Sequence, residues 1–328
     1  MAARVDPNPK AHSSRLVELR HVHSEDLDSM LDEEVAAWRN LLDWDFGKSA
    51  DLVRHFVDMR ALNGFALLDG EEVAGYAYYV LEEHKGLVGD LFVREAVRSP
   101  ENENLLVESV LRAIMSERQV NRVESQLMMA HPARRSLPLP RCLASFERNF
   151  MMLDFERASL GPARGGPAAG GRVYLEKWSE HHQEPAAQLI ASAYLGHVDS
   201  QINDQYRSVP GARRFLFNIV QYPGCGAFFK PASCTAFDRL TGRMAGISLT
   251  SLVMPHCGHI TQICGAPWAR GVGVGYELLR QSLGALSAEG CRKTSLTVTA
   301  SNREAIKLYE DVGFVTIRKF FAYVWEGF

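Results

Sequence analysis

Glycine occupies every second position of the segment Gly271-Val272-Gly273-Val274-Gly275, which follows Arg270 directly. Because glycines remove side chains from one turn of backbone, successive amide N–H groups there can approach an anion closely. The apolar spacing downstream predicts a helix from about Gly275, and a helix start adds unsatisfied N–H groups and the positive end of its dipole. The segment therefore predicts a binding site for a diphosphate group.

Two other glycine-rich loops fit this segment less well. A Walker A loop requires Gly-Lys followed by Ser or Thr, and no such residues follow these glycines. A dinucleotide fingerprint requires the spacing G-x-G-x-x-G and an acidic residue that closes a following strand about 20 positions later, and the segment satisfies neither condition. A tight turn without any ligand stays open as the alternative.

A second segment, Ser301 to Phe314, combines a predicted helix start with a tyrosine. Ser301 and Glu304 have the spacing of a capping box, and Gly313 stands where a helix would end. Ala305 and Tyr309 lie on the same side of this helix. A capped amphipathic helix with a half-buried tyrosine accounts for the pattern, but a phenol with a pKa near ~10 is also a suitable proton donor to a departing thiolate.

These two segments resemble motifs of the Gcn5-related N-acetyltransferase (GNAT) superfamily. Residues 267–275 are similar to its motif A, written R/Q-x-x-G-x-G/A, and residues 299–314 to its motif B, written N-x-x-A-x-x-x-Y-x-x-x-G-F. The resemblance is strongest over residues 230–320. It implies an N-acyltransferase that binds coenzyme A and transfers acetyl from acetyl-CoA to a primary amine by direct attack in a ternary complex, without a metal.

The resemblance also implies roles for individual residues. The pyrophosphate would be bound by the backbone amides of Arg270, Gly271, Val272, Gly273, Val274 and Gly275. The end of the preceding strand consists of Ile263, Cys264 and Gly265. Its backbone would pair with the pantetheine amides and help to polarise the thioester carbonyl. Asn302, with Ala305 on the same helix, would contact the pantetheine arm, and Tyr309 would be the acid. In the superfamily the strand before the loop bulges and splays from its neighbour.

The base that deprotonates the amine is less well defined by the sequence. His259 and Gln262 lie on the predicted strand before the glycine loop. His197, Asp199 and Tyr206 lie between the first two helices of this half, a segment that lines the acceptor site in the superfamily. We select His259 as the candidate base, with a packed or surface histidine as the alternative.

The elements that must position these residues occur twice. In the second half, predicted helices at 184–194 and 213–221 precede strands at 233–237, 244–253 and 258–265, a helix at 276–288, a strand at 294–299 and a helix at 303–311. The first half shows the same order, with a hairpin turn at Asp69-Gly70 and a short helix at 143–148. The fold class is therefore α/β (α+β), with two tandem domains, each a mixed, mostly antiparallel sheet flanked by helices.

The boundaries follow from composition. Residues 1–14 are predicted to be a disordered lead, 15–160 a degenerate GNAT-like domain, 161–172 a Gly/Pro-rich linker, and 173–328 the catalytic domain. In layout this resembles the tandem type represented by mycothiol synthase.

The first half is expected to have lost the ligand site. Its counterpart of the glycine loop, residues 94–104, contains no glycine, while Glu101 and Glu103 stand where an anion would bind and Pro100 removes an amide donor. Phe146 is the predicted counterpart of Tyr309 and carries no proton to donate. We expect this half to be structural.

Composition limits the remaining partners. The 328 residues carry a net charge of −3 with a pI near 6.4, which gives no reason to expect nucleic acid or an anionic membrane. The six cysteines lack C-x-x-C spacing, and His256, Cys257 and His259 lack further ligands, so free thiols in the cytoplasm and no metal are expected. The amine acceptor is unspecified, and a homodimer is possible. A non-catalytic acyl-CoA sensor and a scaffold protein of the same fold remain as alternatives.

Overall fold

The computed structural model describes residues 15–130, 137–157, 172–222 and 224–328. The predicted lead, 1–14, and the predicted linker up to residue 171 lie outside them. The described chain forms two compact units. The first comprises the described residues up to Ala36, those from Ala50 to Leu143, and Trp325–Phe328; the second comprises Ala37–Ser49 and Ala144–Val324.

The first unit is a mixed sheet with helices. Its strands are β1 (Arg15–Glu18), β2 (Asn63–Asp69), β3 (Glu72–Glu82), β4 (Lys85–Val93) and β5 (Arg122–Gln126), and its helices are α1 (Ser24–Leu42, of which residues beyond Ala36 belong to the second unit), α2 (Gly47–Asp58) and α3 (Pro100–Met115). The strands lie in the order β1-β2-β3-β4-β5. All neighbours pair antiparallel except β4 and β5, which are parallel. Gly70, with φ of +65°, forms the predicted β2–β3 turn.

The second unit repeats this plan with more strands. Its strands are β6 (Leu143–Asp154), β7 (Val173–Lys177), β8 (Ala227–Phe228), β9 (Cys234–Asp238), β10 (Met244–Met254), β11 (Cys257–Gly265), β12 (Lys293–Thr299) and β13 (Val315–Glu326). Its helices are α4 (Gln183–Ala193), α5 (Asp199–Ile202), α6 (Val209–Gln221), α7 (Val274–Ala288) and α8 (Arg303–Val312). The sheet order is β13-β6-β12-β11-β10-β9-β7, with β8 paired to β10. Again one central pair, β11 with β12, is parallel.

Apolar spacing explains why these segments are helices. In α7 the fully buried Leu279, Leu283 and Leu286 recur at intervals of four and three residues, so one stripe faces the core. They pack with Leu296 of β12 and Ile306 of α8 in one continuous cluster. Burial of each such leucine stabilises the fold by about 1.5–3 kcal/mol. This cluster fixes α7, and with it the glycine loop, against the sheet.

The strand β6 corrects one part of the sequence analysis. Residues 143–148 were expected to form a helix, but they begin a strand that pairs antiparallel with β12, from Asp154 opposite Lys293 to Arg148 opposite Thr299. A six-residue apolar pattern does not separate helix from strand, and pairing with a distant strand decides between them. Phe146 therefore lies on a strand and is not the helical counterpart of Tyr309. β6 precedes the predicted linker in sequence, yet it belongs to the second unit. The domain boundaries themselves stay a prediction.

The predicted fold class is confirmed, because both units are mostly antiparallel sheets flanked by helices. Within the described part of the chain, no helix has the length and hydropathy needed to cross a bilayer.

Candidate active site

The glycine loop lies between β11 and α7, as predicted. Gly271 and Gly273 have φ values of +76° and +87°, in the left-handed region that favours glycine. Gly273 is the N-cap of α7 and provides no side chain to bond the first amides of the helix. The backbone amides of Gly271, Val272, Gly273, Val274 and Gly275 donate no hydrogen bond to any described residue. Five adjacent donors at a helix start form a site for an anion.

Arg270 differs from the glycines that follow it. Its amide donates to the carbonyl of Pro267 over 3.4 Å, and its guanidinium Nη2 donates to the carbonyl of Ala193 at the end of α4, at 3.1 Å. The side chain thus ties the start of the loop to α4. Direct binding of a ligand by Arg270 stays a prediction.

The strand before the loop bulges. Leu249 of β10 lies opposite Gln262, but Thr250 lies opposite Ile260, so Thr261 is an extra residue in β11. The β11–β12 ladder ends at Ile260 opposite Leu296, although β11 continues to Gly265 and β12 to Thr299. The two strands are therefore unpaired along this edge, which includes Ile263, Cys264 and Gly265. The bulge and splay expected from the superfamily resemblance are confirmed.

The second motif forms α8, but its cap differs from the prediction. Asn302, rather than Ser301, is the N-cap, and its side chain accepts a hydrogen bond from the amide of Ala305 at 3.3 Å. The predicted capping box of Ser301 and Glu304 is wrong, because α8 begins at Arg303, one residue later than an N-cap at Ser301 requires. Asn302 Nδ2 also lies 3.3 Å from His197 Nε2. Gly313, with φ of +113°, ends the helix as predicted.

Tyr309 is buried, with 7% of its surface exposed. Burial and then the nearby charge of Asp199 raise the pKa of Tyr309, so the phenol keeps its proton across the neutral range. Its hydroxyl makes no hydrogen bond to a described residue, while its ring packs at 5.9 Å from that of Phe314. The side chain is thus held by its ring and offers a free O–H donor.

His259 lies in a closed environment on β11. Its Nδ1 is 2.9 Å from Ser295 Oγ, and its ring contacts those of Trp44 at 5.0 Å and Phe150 at 6.2 Å. Burial lowers the pKa of His259 to about 4, so the imidazole is neutral. These contacts are sufficient to explain a histidine at this position as a packed core residue, and its role as a base stays a prediction.

Two tyrosines from the segment between α4 and α6, Tyr194 and Tyr206, form hydrogen bonds with Gln262, the residue after the bulge. Gln262 Nε2 donates to the Tyr194 hydroxyl at 2.9 Å and Gln262 Oε1 accepts from Tyr206 at 3.4 Å. The rings of Tyr194 and Tyr206 stack at 4.3 Å, and His197 meets Tyr194 edge-on at 5.3 Å. Sequence reasoning named Gln262, Tyr206, His197 and Asp199 separately, and the fold brings them together.

Arg148 is a residue that sequence reasoning missed. It lies on β6, is buried, and its Nη1 contacts Asp199 Oδ1 at 3.3 Å and Thr299 Oγ1 at 3.0 Å. The available signal was an arginine between Phe146 and Phe150, which is unusual on an apolar strand, but the segment was interpreted as a helix.

The first unit has a corresponding bulge but no open loop. Tyr78 lies opposite Asp90 and Tyr79 opposite Val88, so Gly89 is the extra residue. Ser99 caps α3 by accepting from the amide of Asn102 at 3.2 Å, and Asn102 in turn donates to the carbonyl of Val97. Side chains thus satisfy backbone groups that the second unit leaves free, which supports the expected loss of a ligand site there.

Asp90 of the first unit gives a pH-dependent prediction. Burial raises the pKa of Asp90 to about 6 from 3.8, and the carboxyl is hydrogen-bonded to Glu34. Because the folded state binds this proton more tightly, stability falls as the pH rises from about 4 to 6 and stays lower above. Asp90→Asn mimics the protonated form, so its free energy of unfolding should exceed that of the wild type increasingly over this range, by roughly 1–3 kcal/mol at pH 8, and its Tm should rise accordingly.

Asp238 provides a control of opposite sign. Hydrogen bonds from Thr241, followed by the ion pair with Arg172, lower the pKa of Asp238 to about 2. Its stabilising effect is present above pH 4 and is lost as the pH falls towards 2, so Asp238→Asn should be destabilised at neutral pH. A difference in Tm between Asp90→Asn and wild type that does not change with pH would contradict the assignment.

The fold and this site define a class of protein. A sheet that opens behind a bulged strand, beside a loop of free amides, is the architecture of acyltransferases of the GNAT type, and it supports acyl transfer in general. Residues 200–314 match the model of the Acetyltransferase (GNAT) family. The superfamily predicted from the two motifs is confirmed.

Solved structures show the same fold over nearly the whole chain. A GCN5-related N-acetyltransferase from Sphaerobacter thermophilus has a TM-score of 0.69 and 14% identity, covering 95% of each chain. A tandem GNAT protein from the clavulanic acid biosynthesis pathway has a TM-score of 0.58 and 17% identity, covering 96% of this chain and 98% of its own. The tandem arrangement is thus shared. No curated protein matches by sequence.

Proposed function

We propose that the protein is an N-acetyltransferase that transfers acetyl from acetyl-CoA to a primary amine, with its active site in the second unit. The observation that carries the proposal is the row of free amides from Gly271 to Gly275, placed beside the unpaired edges of β11 and β12. A diphosphate fits the first feature, and an extended amide-containing arm fits the second. Free cysteines at all six positions are consistent with the cytoplasm as its location.

The chain's residues have separate tasks in this reaction. The thioester of acetyl-CoA supplies an activated acyl group. Loop amides bind its pyrophosphate, and the free edge at Ile263, Cys264 and Gly265 orients the arm and provides N–H donors towards the carbonyl. As the amine forms the C–N bond and the C–S bond breaks, Tyr309 donates its proton to sulfur, and the proton that the amine nitrogen loses restores the Tyr309 phenol. Burial raises the pKa of Cys264 to about 12, so its thiol is no nucleophile, in agreement with direct transfer.

The proposal is tested with the full chain. Calorimetric titration with coenzyme A measures the first part, and release of free thiol from acetyl-CoA in the presence of a panel of primary amines measures the second. We expect saturable binding and amine-dependent release. Binding without release would identify a sensor, and neither would identify a scaffold. A crystal soaked with acetyl-CoA in which the loop binds no phosphate would refute the assignment.

A further inference from the structure

The acceptor side of the opening contains a buried ion pair that the reaction described above does not use. Asp199 begins the short helix α5, and its Oδ1 accepts hydrogen bonds from Arg148 Nη1 and from Thr299 Oγ1. Arg148 Nη2 donates to Thr297 Oγ1 at 3.2 Å. Both threonines lie on β12 beyond Leu296, the stretch where it has separated from β11. The pair therefore lies at the split in the sheet.

The two oxygens of Asp199 have different surroundings. Oδ1 has two donors, whereas Oδ2 accepts no hydrogen bond from a described residue, and the nearby His197 Nδ1 is 3.9 Å from it. That distance is too long for a hydrogen bond. The Asp199 side chain is 16% exposed and that of Arg148 10%, so the carboxylate is the more accessible member of the pair. Oδ2 therefore keeps its capacity to accept a hydrogen bond, while two donors hold Oδ1.

His197 links Asp199 to α8, the helix that carries Tyr309: its Nδ1 is 3.9 Å from Asp199 Oδ2, and its Nε2 is 3.3 Å from Nδ2 of the N-cap Asn302. The charge of Asp199 contributes to the raised pKa of both Tyr309 and Tyr206. The stacked rings of Tyr194 and Tyr206 stand beside it, with their hydroxyls engaged by Gln262. Gln262, which follows the bulge at Thr261, is uncharged and cannot form an ion pair with a cation. Asp199 is the carboxylate that the structure places in this cluster of described residues.

We propose that Asp199 Oδ2 binds the ammonium group of the acceptor, and that Arg148 is a positioning residue that holds Oδ1. This inference rests on the proposed function and adds the substrate class, a primary amine that binds as a cation and loses one proton to a base before its nitrogen attacks the carbonyl. A carboxylate with one fixed oxygen forms a directed, charge-assisted hydrogen bond to an ammonium. Among the described residues, Arg148 forms its ion pair with Asp199 alone, so no other carboxylate competes for the guanidinium. Since Arg148 comes from β6, a strand ahead of residue 160 supplies part of this site.

The experiment compares Asp199→Asn with wild type, using the amine of the panel that gives the fastest thiol release. We expect the KM for that amine to rise by about 10- to 100-fold, as for loss of a hydrogen bond to a charged group. The Kd for coenzyme A should stay within about twofold. Asp204→Asn makes the same change five residues further along the acceptor-side segment and should leave both values unchanged.

Arg148 is tested through Asp199. Arg148→Met should raise the KM for the amine, Arg148→Lys should restore part of the loss, and Arg148→Met combined with Asp199→Asn should be no worse than Asp199→Asn alone. If Arg148→Met fails to fold, the lysine variant still tests the role, because it keeps the charge but not the forked geometry.

An unchanged KM for the amine in Asp199→Asn would overturn the inference. So would an equal loss of coenzyme A affinity, since that indicates a structural role. Wild type that fails to bind coenzyme A would instead refute the proposed function, and the calorimetric measurement reports this independently of Asp199. Normal coenzyme A binding with no release for any amine would count against the enzyme and the Asp199 site together.

Discussion

Replacing Gly273 by glutamate is expected to lower the affinity for coenzyme A by at least about 100-fold. Gly273 has φ of +87°, and a side chain in this left-handed conformation costs about 1–2 kcal/mol. The added carboxylate would also stand at the N-cap of α7, among the five free amides, and repel a diphosphate. Conformation and charge act in the same direction. Calorimetric titration with coenzyme A measures the change.

A matched variant separates this effect from a general effect of charge. Gly284→Glu introduces the same side chain in the same helix, where no atom lies within 4 Å of an added Cβ, so affinity should not change. Glu101→Gln, in the first turn of α3 in the first unit, should also leave the affinity unchanged. If Gly273→Glu keeps its affinity for coenzyme A, the loop amides are not the binding site. If Glu101→Gln loses much of that affinity, the first unit binds the ligand.

Tyr309→Phe is expected to lower kcat by about 10²- to 10⁴-fold, the usual range for loss of a general acid. The change removes one hydroxyl that bonds to no described residue and keeps the ring against Phe314, so stability should be nearly unchanged. The Kd for coenzyme A should stay within about twofold, because binding depends on backbone groups. Steady-state kinetics with acetyl-CoA and the best amine provide both values.

Tyr222→Phe is the control for this variant. Tyr222 is 60% exposed at the end of α6, and the same loss of a hydroxyl there should leave kcat unaltered. If Tyr309→Phe turns over as fast as wild type, the leaving thiolate needs no proton from this residue. If it loses coenzyme A affinity as well, its role is in packing.

Local chemistry made the ligand loop predictable. Left-handed backbone favours glycine, so Gly271 and Gly273 indicate the turn in the sequence, and the apolar stripe of α7 indicates the helix that follows. The order of strands and helices in the two halves followed from periodicity in the same way. These signals span fewer than 20 residues and need no knowledge of distant partners.

Contacts between distant segments were not predictable. Residues 143–148 fit a helix or a strand by their local pattern, and they form a strand that continues into the residues paired with β12, about 150 positions later. Arg148 therefore remained unnoticed, since its partners Asp199, Thr297 and Thr299 come from two other elements. The cap at Asn302 instead of Ser301 has a similar cause, because the end of β12 sets where α8 can begin.

The placement of β6 has a practical consequence for expressing the second half of the chain alone. The family match spans 200–314, and the composition suggests cutting near residue 172. A fragment made that way would have a gap inside its own sheet, leaving the backbone of β12 without seven partners along one edge. Such a fragment should aggregate or capture a foreign strand, whereas one that starts ahead of Leu143 keeps the ladder closed. A boundary chosen from sequence composition therefore does not yield a fragment that can fold on its own.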